Sequence, residues 1–246
     1  MSRIPRVYVD APLSAGSAVT LPKASSHHLL SVLRLNENQR LELFNGDGFQ
    51  YPAILHAHGK IASAEVLTAE ATDSESPLNI CLWQGLSRGE RMDASVRQAV
   101  ELGVRALRPV STHRSQVRLD AKRARKRHEH WSAIIISAAE QSGRTRLTTL
   151  APLESLDKGL SERDSNTPGL VLVPSAAESL GTYSLPEHPM SIDVLIGPES
   201  GLSDEEITSA VAHGLTPVSL GKRILRTETA GPCVISILQA RFGDLK

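Results

Sequence analysis

The stretch VSLGKRILRTETA, at Val218–Ala230, decides the fold of this 246-residue chain. Within it, a short apolar run ends at Gly221, a dense set of charged and hydroxyl side chains follows, and an apolar helix begins. The same order occurs upstream. There, the buried-strand pattern Asp193–Ile196 leads into the turn-rich loop Gly197–Gly201 and a helix with a capping box at Ser203–Glu206. Two such strand–loop–helix units place ligand-binding loops on one edge of an α/β sheet.

The bulk composition is that of a soluble globular protein, with 40% hydrophobic and 22% charged residues. A formal net charge of zero argues against a uniformly basic nucleic-acid-binding surface, although local basic patches remain compatible with it. One such patch is evident, because residues 86–127 contain twelve Arg or Lys against four Asp or Glu. The chain has neither an apolar signal region at its start nor a run long enough to span a membrane, which predicts a cytoplasmic protein.

The sequence offers little for metal or disulfide chemistry. Cys81 and Cys233 lie far apart in apolar runs, without a C-x-x-C motif, and are predicted to be buried, reduced thiols. His56 and His58 share one face of a predicted strand but have no third ligand nearby, so no metal site is predicted. Common dinucleotide-binding and nucleotide-hydrolysing motifs are also absent from the sequence.

The chain divides into two predicted domains. Residues 1–72 contain short strands separated by turns, including the hairpin signal Asn45–Gly48, which indicates a small barrel. The polar, breaker-rich segment Ala71–Pro77 marks the boundary. Strands and helices then alternate across residues 73–246, which is typical of an α/β domain. Its final helix is predicted at Pro232–Arg241.

Several motifs together resemble those of the RsmE family. The resemblance runs from end to end, and the combined pattern is highly specific although each motif alone is weak. The matching segments are His28–Arg34, Ser87–Met92, Glu101–Val104, Glu140–Arg144, Leu195–Ser203 and Leu220–Ala230.

This resemblance implies a SPOUT-class methyltransferase that methylates uridine N3 in small-subunit (16S) ribosomal RNA with S-adenosylmethionine. It implies an N-terminal PUA-like β-barrel and a C-terminal SPOUT α/β domain whose last segment is threaded into a trefoil knot. Such knots are very rare, and local periodicity does not reveal them. It also implies a homodimer with cofactor sites near the subunit interface. No membrane or metal partner is expected.

The cofactor is expected to bind on the glycine-containing loops, because adenine and ribose need an apolar slot that backbone groups can approach closely. Taken alone, such residues could equally be ordinary strand ends and turn glycines. The family loop usually has glycine where this chain has Ser200, which would be strained if that position required a positive φ. The predicted cofactor residues are Leu172, Ile196, Gly197, Pro198, Glu199, Gly201, Leu220, Gly221, Ile224, Leu225 and Thr229.

Arg226 and Glu228 are the predicted catalytic residues, since they lie between the cofactor loop and the last helix. Uridine N3 carries a proton, so it becomes a good nucleophile only when that proton leaves. Arg226 would orient the uracil or stabilise its anion, and Glu228 would accept the proton or fix Arg226. The alternative is a structural Arg–Glu pair that holds the loop.

RNA contacts are expected from cations in both domains. Lys and Arg neutralise phosphates without reading sequence. The alternatives are a solvated helix face for the basic stretch and a charge-complemented helix end for Arg144. The predicted RNA-binding residues are Arg6, His28, Arg34, Arg88, Arg118, Lys122, Arg123, Lys126, Gln141 and Arg144.

Two other functions are compatible with the sequence. A methyltransferase of the same fold could act on another RNA nucleotide. A non-catalytic RNA-binding ribosome assembly factor could also keep the fold, although the presence of Arg226, Glu228 and both loops argues against it.

Overall fold

A computed structural model describes residues 4–184 and 189–245, so the ends of the predicted domains at residues 1 and 246 lie outside the described residues. The contacts divide the chain into two compact units. The first comprises residues 1–75 with 139–147, and the second comprises residues 76–138 with 148–246. Residues 139–147 were predicted to lie in the second domain, whereas their contacts place them in the first unit.

The first unit is a six-stranded sheet with the order β1-β3-β4-β5-β2, in which β6 pairs with β4. The predicted Asn45–Gly48 turn joins β3 and β4 as an antiparallel hairpin, confirming that prediction. The elements are β1 (Arg6–Tyr8), β2 (Ala18–Thr20), α1 (Lys23–His27), a π-helical turn (His28–Val32), β3 (Arg40–Phe44), β4 (Phe49–His58), β5 (Ile61–Val66) and β6 (Glu70–Ala71).

The core of this unit follows the two-residue period of its strands. Along β4, Tyr51, Ala53 and Leu55 are buried, whereas the residues between them are half-buried. They pack with Leu41 and Leu43 of β3 in one apolar cluster. Among the described residues the pairing runs as an open path from β1 to β2, so closure into a barrel remains a prediction.

The second unit is a seven-stranded sheet with the order β10-β8-β7-β12-β11-β13, in which β9 pairs with β8. Every strand pair in it is parallel, as the alternation of strands and helices predicted. Its elements are β7 (Asn79–Gly85), α2 (Gly89–Glu101), β8 (Ala106–Ser111), α3 (Ala121–Ser142), β9 (Thr149–Leu150), β10 (Glu154–Ser155), α4 (Leu156–Ser161), β11 (Gly169–Leu172), β12 (Ser191–Ile196), α5 (Asp204–Ala212), β13 (Leu215–Val218) and α6 (Thr227–Phe242).

The central strands are apolar because a parallel sheet is buried on both faces. In β12, every residue from Ile192 to Ile196 is buried, including the acidic Asp193. Asp193 accepts hydrogen bonds from Trp83 Nε1 at 3.3 Å and from Arg163 Nε at 2.7 Å. The Arg108 guanidinium lies 4.1 Å from the centre of the Trp83 ring. This network satisfies the buried carboxylate at the centre of the sheet.

Helix boundaries confirm one expectation and correct another. The capping box at Ser203–Glu206 is present at the start of α5, with Ser203 and Glu206 bonded reciprocally. Helix α6 begins at Thr227, five residues before the predicted start at Pro232. Arg226, with φ −66° and ψ 154°, is the extended residue before the helix, and Pro232 lies inside it.

Candidate functional site

The carboxyl ends of β11, β12 and β13 meet the start of α6 around a cleft of about 450 Å³. Ligands of open α/β sheets bind at this edge, and the volume suits a small molecule. The cleft is lined by Arg114, Leu172, Val173, Pro174, Ser175, Ile196, Gly197, Pro198, Glu199, Ser200, Gly201, Leu202, Asp204, Ile207, Val218, Ser219, Leu220, Gly221, Arg223, Ile224, Leu225, Thr227 and Ala230.

Every predicted cofactor residue except Thr229 lines this cleft. Thr229 is exposed on the first turn of α6, whereas Thr227, two residues earlier, is buried and lines the cleft. Thr229 therefore lies outside the cleft. The cause is the early start of α6, because residues two apart on a helix point in different directions.

Thr227 also ties the helix to the floor of the site. Its hydroxyl donates to the Gly197 carbonyl at 2.8 Å and accepts from Gln84 Nε2 at 2.9 Å. Gln84 is 1% exposed and is the last residue but one of β7. These bonds fix the start of α6 against the carboxyl ends of β7 and β12.

The loop Gly197–Gly201 is shaped by close backbone packing. A Cβ on Gly85 would lie 2.5 Å from the Pro198 nitrogen, so only glycine lets β7 approach this loop. The left-handed residue of the loop is Gly201, with φ 71°. Ser200 is not among the described residues with positive φ. The expected strain at Ser200 is therefore absent, and its hydroxyl accepts a hydrogen bond from Gln116 Nε2 at 3.4 Å.

Among the cleft residues absent from the predicted cofactor set are Arg114 and residues 173–175. Arg114 comes from the loop between β8 and α3, within a basic stretch that the sequence analysis assigned to RNA. Residues 173–175 follow β11, and their signal was the breaker Pro174 directly after a buried strand. Residues of both charges line the cleft. Arg114 and Arg223 are positive, and Glu199 and Asp204 are negative.

Glu228 does not pair with Arg226, which contradicts the alternative of a structural Arg–Glu pair. Its Oε1 lies 3.8 Å from Arg91 Nε, and its Oε2 is buried without a hydrogen-bond partner. Arg226 is exposed at the start of α6, and its side chain has no ion-pair partner within residues 4–184 and 189–245. The two predicted catalytic side chains are therefore independent of each other.

Glu199 links the cleft to Arg91, the arginine that also lies near Glu228. Its Oε1 accepts from the Arg88 backbone N–H at 2.9 Å and from Arg91 Nη1 at 3.1 Å. Partial burial alone would raise the pKa of Glu199, but these hydrogen bonds outweigh it and lower the pKa. Glu199 is thus held as a carboxylate at the rim of the cleft.

A basic groove of about 580 Å³ lies in the same unit. Three predicted RNA contacts, Arg118, Arg123 and Lys126, line it, and no acidic residue does. Lys122 is exposed nearby in sequence but does not line the groove, and Arg88 lines a neighbouring cavity of about 220 Å³. The groove is lined by Gln116, Val117, Arg118, Leu119, Arg123, Lys126, Arg127 and His130.

In the first unit, two predicted RNA contacts have structural partners. Arg144 is 3% exposed, and its Nη2 donates to Glu75 Oε2 at 2.7 Å. Arg6 pairs with Glu42 and donates to the Arg144 carbonyl at 2.9 Å. The Arg144 guanidinium is thus buried in an ion pair that anchors residues 139–147 within this unit. It is therefore not presented to a phosphate.

The other candidates of this unit are exposed. His28 lies in the π-helical turn, and Arg34, with φ 53°, is one of two described non-glycine residues in the left-handed region. Gln141 is also exposed, whereas its neighbour Glu140 accepts from the Tyr8 N–H at 3.0 Å. Burial raises the pKa of Glu140.

Within the described part of the chain, no three His, Cys, Asp or Glu side chains are grouped closely enough to hold a metal ion. None of the described helices combines the length and apolarity needed to cross a membrane. Cys81 and Cys233 are free thiols, but they are half-buried rather than fully buried as predicted.

Comparison with known proteins agrees with this geometry. Residues 74–239 match the family described as an RNA methyltransferase domain, and residues 21–67 match an RNA methyltransferase PUA domain. Ribosomal RNA small subunit methyltransferase E of Buchnera aphidicola subsp. Schizaphis graminum is 33% identical, over 99% of this chain and 98% of its own length.

Two solved structures are similar along the whole chain. Ribosomal RNA small subunit methyltransferase E from Neisseria gonorrhoeae, bound to S-adenosyl methionine, is 40% identical with a TM-score of 0.91, covering 99% of this chain and 100% of that one. A Legionella pneumophila protein with bound cofactor SAM is 36% identical with a TM-score of 0.94, covering 99% and 100%. The chain therefore belongs to the RNA methyltransferase family that includes ribosomal RNA small subunit methyltransferase E.

Proposed function

We propose that this protein transfers a methyl group from S-adenosylmethionine to N3 of a uridine in small-subunit (16S) ribosomal RNA. The observation that carries the proposal is the juxtaposition of two features. A cleft formed by two glycine-containing loops lies at the carboxyl ends of parallel strands. Beside it, Glu228 presents a buried carboxylate oxygen without a hydrogen-bond partner in the described chain.

The cleft residues fit the cofactor. Leu172, Ile196 and Leu225 offer apolar surface for an adenine ring, and the loop backbones supply donors and acceptors close to it. Glu199 and Asp204 carry negative charge that suits a sulfonium, and Arg114 and Arg223 suit a carboxylate. When bound there, S-adenosylmethionine supplies an electrophilic methyl group.

Glu228 is suited to take the proton from uridine N3. Its unpartnered Oε2 can accept a hydrogen bond without breaking another one. General-base catalysis of this kind contributes about 10²- to 10⁴-fold in rate. Arg226, two positions before Glu228, is exposed and is suited to stabilise negative charge that develops on the pyrimidine oxygens.

The basic groove is suited to the RNA backbone. Arg118, Arg123 and Lys126 would bind phosphates and would position the strand without selecting its sequence. His28, Arg34 and Gln141 are exposed and would add contacts from the first unit. Arg6 and Arg144 would instead stabilise the first unit, because their side chains form ion pairs with Glu42 and Glu75.

Family membership supports further proposals about architecture and location. We infer that the first unit closes into a PUA-like barrel and that the last segment of the second is threaded into a trefoil knot. We further infer a cytoplasmic homodimer with cofactor sites near the subunit interface. Sedimentation equilibrium tests the dimer, and a monomeric species at all concentrations would contradict it.

Calorimetric titration with S-adenosylmethionine separates an enzyme from a non-catalytic assembly factor. We expect saturable binding to one site per chain. Thr227→Val should weaken this binding because it unpairs Gln84 and the Gly197 carbonyl, while Thr229→Val should leave it unchanged. Absence of binding by the wild-type protein would favour the assembly factor.

Nucleoside mapping separates the uridine-N3 proposal from methylation of another nucleotide. Small-subunit ribosomal RNA from cells with and without the gene would be digested and analysed by mass spectrometry. We expect one 3-methyluridine to disappear on deletion and to return with the wild-type gene. Loss of a different methylated nucleoside would support the same-fold alternative.

A further inference from the structure

Arg91 joins two carboxylates that come from different parts of the second unit. Its Nη1 donates to Glu199 Oε1 at 3.1 Å, in the loop after β12. Its Nε lies 3.8 Å from Glu228 Oε1, on the first turn of α6. Arg91 itself lies on the first turn of α2, far from both residues in sequence. One guanidinium therefore connects the rim of the cofactor cleft with the proposed proton acceptor.

We propose that Arg91 is a positioning residue for methyl transfer, holding Glu228 by one oxygen and leaving the other to accept the uridine proton. This inference rests on the proposed function. It goes beyond it because the sequence offered Arg226, two positions away, as the natural partner of Glu228, and the structure contains no such pair. Arg91 does not have to touch the substrate for this role.

The two oxygens of Glu228 have different surroundings. Oε1 faces the guanidinium, whereas Oε2 is buried and has no hydrogen-bond partner in the described chain. A planar guanidinium with several fixed donors is well suited to hold two carboxylates in one orientation. Without it, Glu228 and Glu199 would be neighbouring anions with no charge between them, and Glu228 would be free to rotate.

The two carboxylates depend on Arg91 to different degrees. Glu199 keeps a second anchor, the Arg88 backbone N–H at 2.9 Å. Glu228 has Arg91 as its ion-pair partner within the described residues. Removing Arg91 should therefore disturb the proton acceptor more than the cofactor loop.

The experiment compares Arg91→Ala, Arg91→Lys and Arg97→Ala with the wild-type protein. Arg97 is the matched control, because it is an exposed arginine on the same helix. Turnover would be measured with S-adenosylmethionine and unmethylated small-subunit RNA. Affinity for S-adenosylmethionine would be measured separately by calorimetry, and thermal unfolding would exclude gross misfolding.

Arg91→Ala should lower kcat by about 10- to 100-fold, since small misplacements of catalytic groups have effects of this size. Affinity for S-adenosylmethionine should stay within about threefold, given the second anchor of Glu199. Arg91→Lys should restore part of kcat, because it keeps a positive charge near Glu228 Oε1.

Two results would overturn the inference while leaving the proposed function intact. One is an Arg91→Ala enzyme with the kcat of Arg97→Ala. The other is a loss confined to S-adenosylmethionine affinity, which would make Arg91 only a loop anchor. A wild-type protein that binds S-adenosylmethionine but never methylates RNA would instead refute the proposed function, and this role with it.

Discussion

In the proposed mechanism, the chemistry of the site depends on the single side chain of Glu228. It lies on the first turn of α6, next to the cleft but not lining it, with one carboxylate oxygen towards Arg91 and one without a partner. A group in this position can act on the nucleobase without contributing to the affinity for the cofactor. Chemistry and binding are therefore separable by mutation.

Glu228→Gln should lower the single-turnover rate by about 100-fold or more, because an amide cannot take up the uridine proton. Affinity for S-adenosylmethionine should be unchanged, since Glu228 does not line the cleft. Rapid-quench methylation and calorimetry check the two parts. Glu205→Gln serves as the control, because Glu205 is exposed. A weakened affinity with a preserved rate would show that Glu228 belongs to the binding site.

At the scale of the elements, the position of the cleft depends on the buried network beneath the sheet. Arg163 has 1% of its side chain exposed, pairs with Asp193 of β12 at 2.7 Å and donates to the His213 carbonyl at 2.9 Å. It thereby connects the residues after α4 with β12 and the end of α5. Burial raises the pKa of Asp193 despite this pairing.

Arg163→Met should destabilise the protein by about 3–5 kcal/mol, because it leaves a buried carboxylate without its cation. Urea denaturation measures the change. Lys158→Met is the control, since the Lys158 side chain is 59% exposed and Glu154 keeps its ion pair with Arg108, so the loss should be about 0–1 kcal/mol. Equal effects of the two substitutions would contradict the structural role given to Arg163.

In the first unit, His56 of β4 and Glu37, just before β3, form a pH-sensitive pair. The hydrogen bond to Glu37 at 2.7 Å is the main cause that raises the pKa of His56 above its ordinary 6.5. The Ala57 N–H is the main cause that lowers the pKa of Glu37 below its ordinary 4.5. Both side chains are exposed enough for the effect on stability to be small.

The pH dependence of this pair follows from the two directions. The contribution of His56 to folding stability is complete below pH 6.5 and is lost as the pH rises through the folded-state pKa of His56. The contribution of Glu37 to folding stability is complete above pH 4.5 and is lost as the pH falls through the folded-state pKa of Glu37. Glu37→Gln should therefore lower Tm most between pH 4.5 and 6.5 and least above and below that window. A decrease that is uniform with pH would contradict this.

At the scale of the whole molecule, the parallel sheet and most of its cleft could be predicted from the sequence. Glycines such as Gly197 and Gly221 follow apolar strands, and the carboxyl ends of parallel strands meet at one edge. The Arg91–Glu228 pair could not be predicted, because it joins residues distant in sequence. The burial of Arg144 could not be predicted for the same reason, since its ion-pair partner Glu75 is distant in sequence and precedes the second unit.

The basic groove predicts how RNA affinity depends on salt. Arg123→Glu with Lys126→Glu should weaken RNA binding and flatten the plot of log K against log salt by about 1.4, the loss expected for two phosphate contacts to a single strand. Fluorescence anisotropy with a small-subunit RNA fragment measures the slope. Arg125→Glu is the control, because Arg125 is exposed on the same helix outside the groove. An unchanged slope would indicate a merely solvated helix face.

The most direct test of the central claim is a single-turnover reaction of the purified protein with S-adenosylmethionine carrying a labelled methyl group and unmethylated small-subunit RNA. Nucleosides from the product would be separated and identified by mass spectrometry. We expect label in 3-methyluridine alone with the wild-type protein, and almost none with Glu228→Gln over the same time. Label in any other nucleoside, or an undiminished rate with Glu228→Gln, would contradict it.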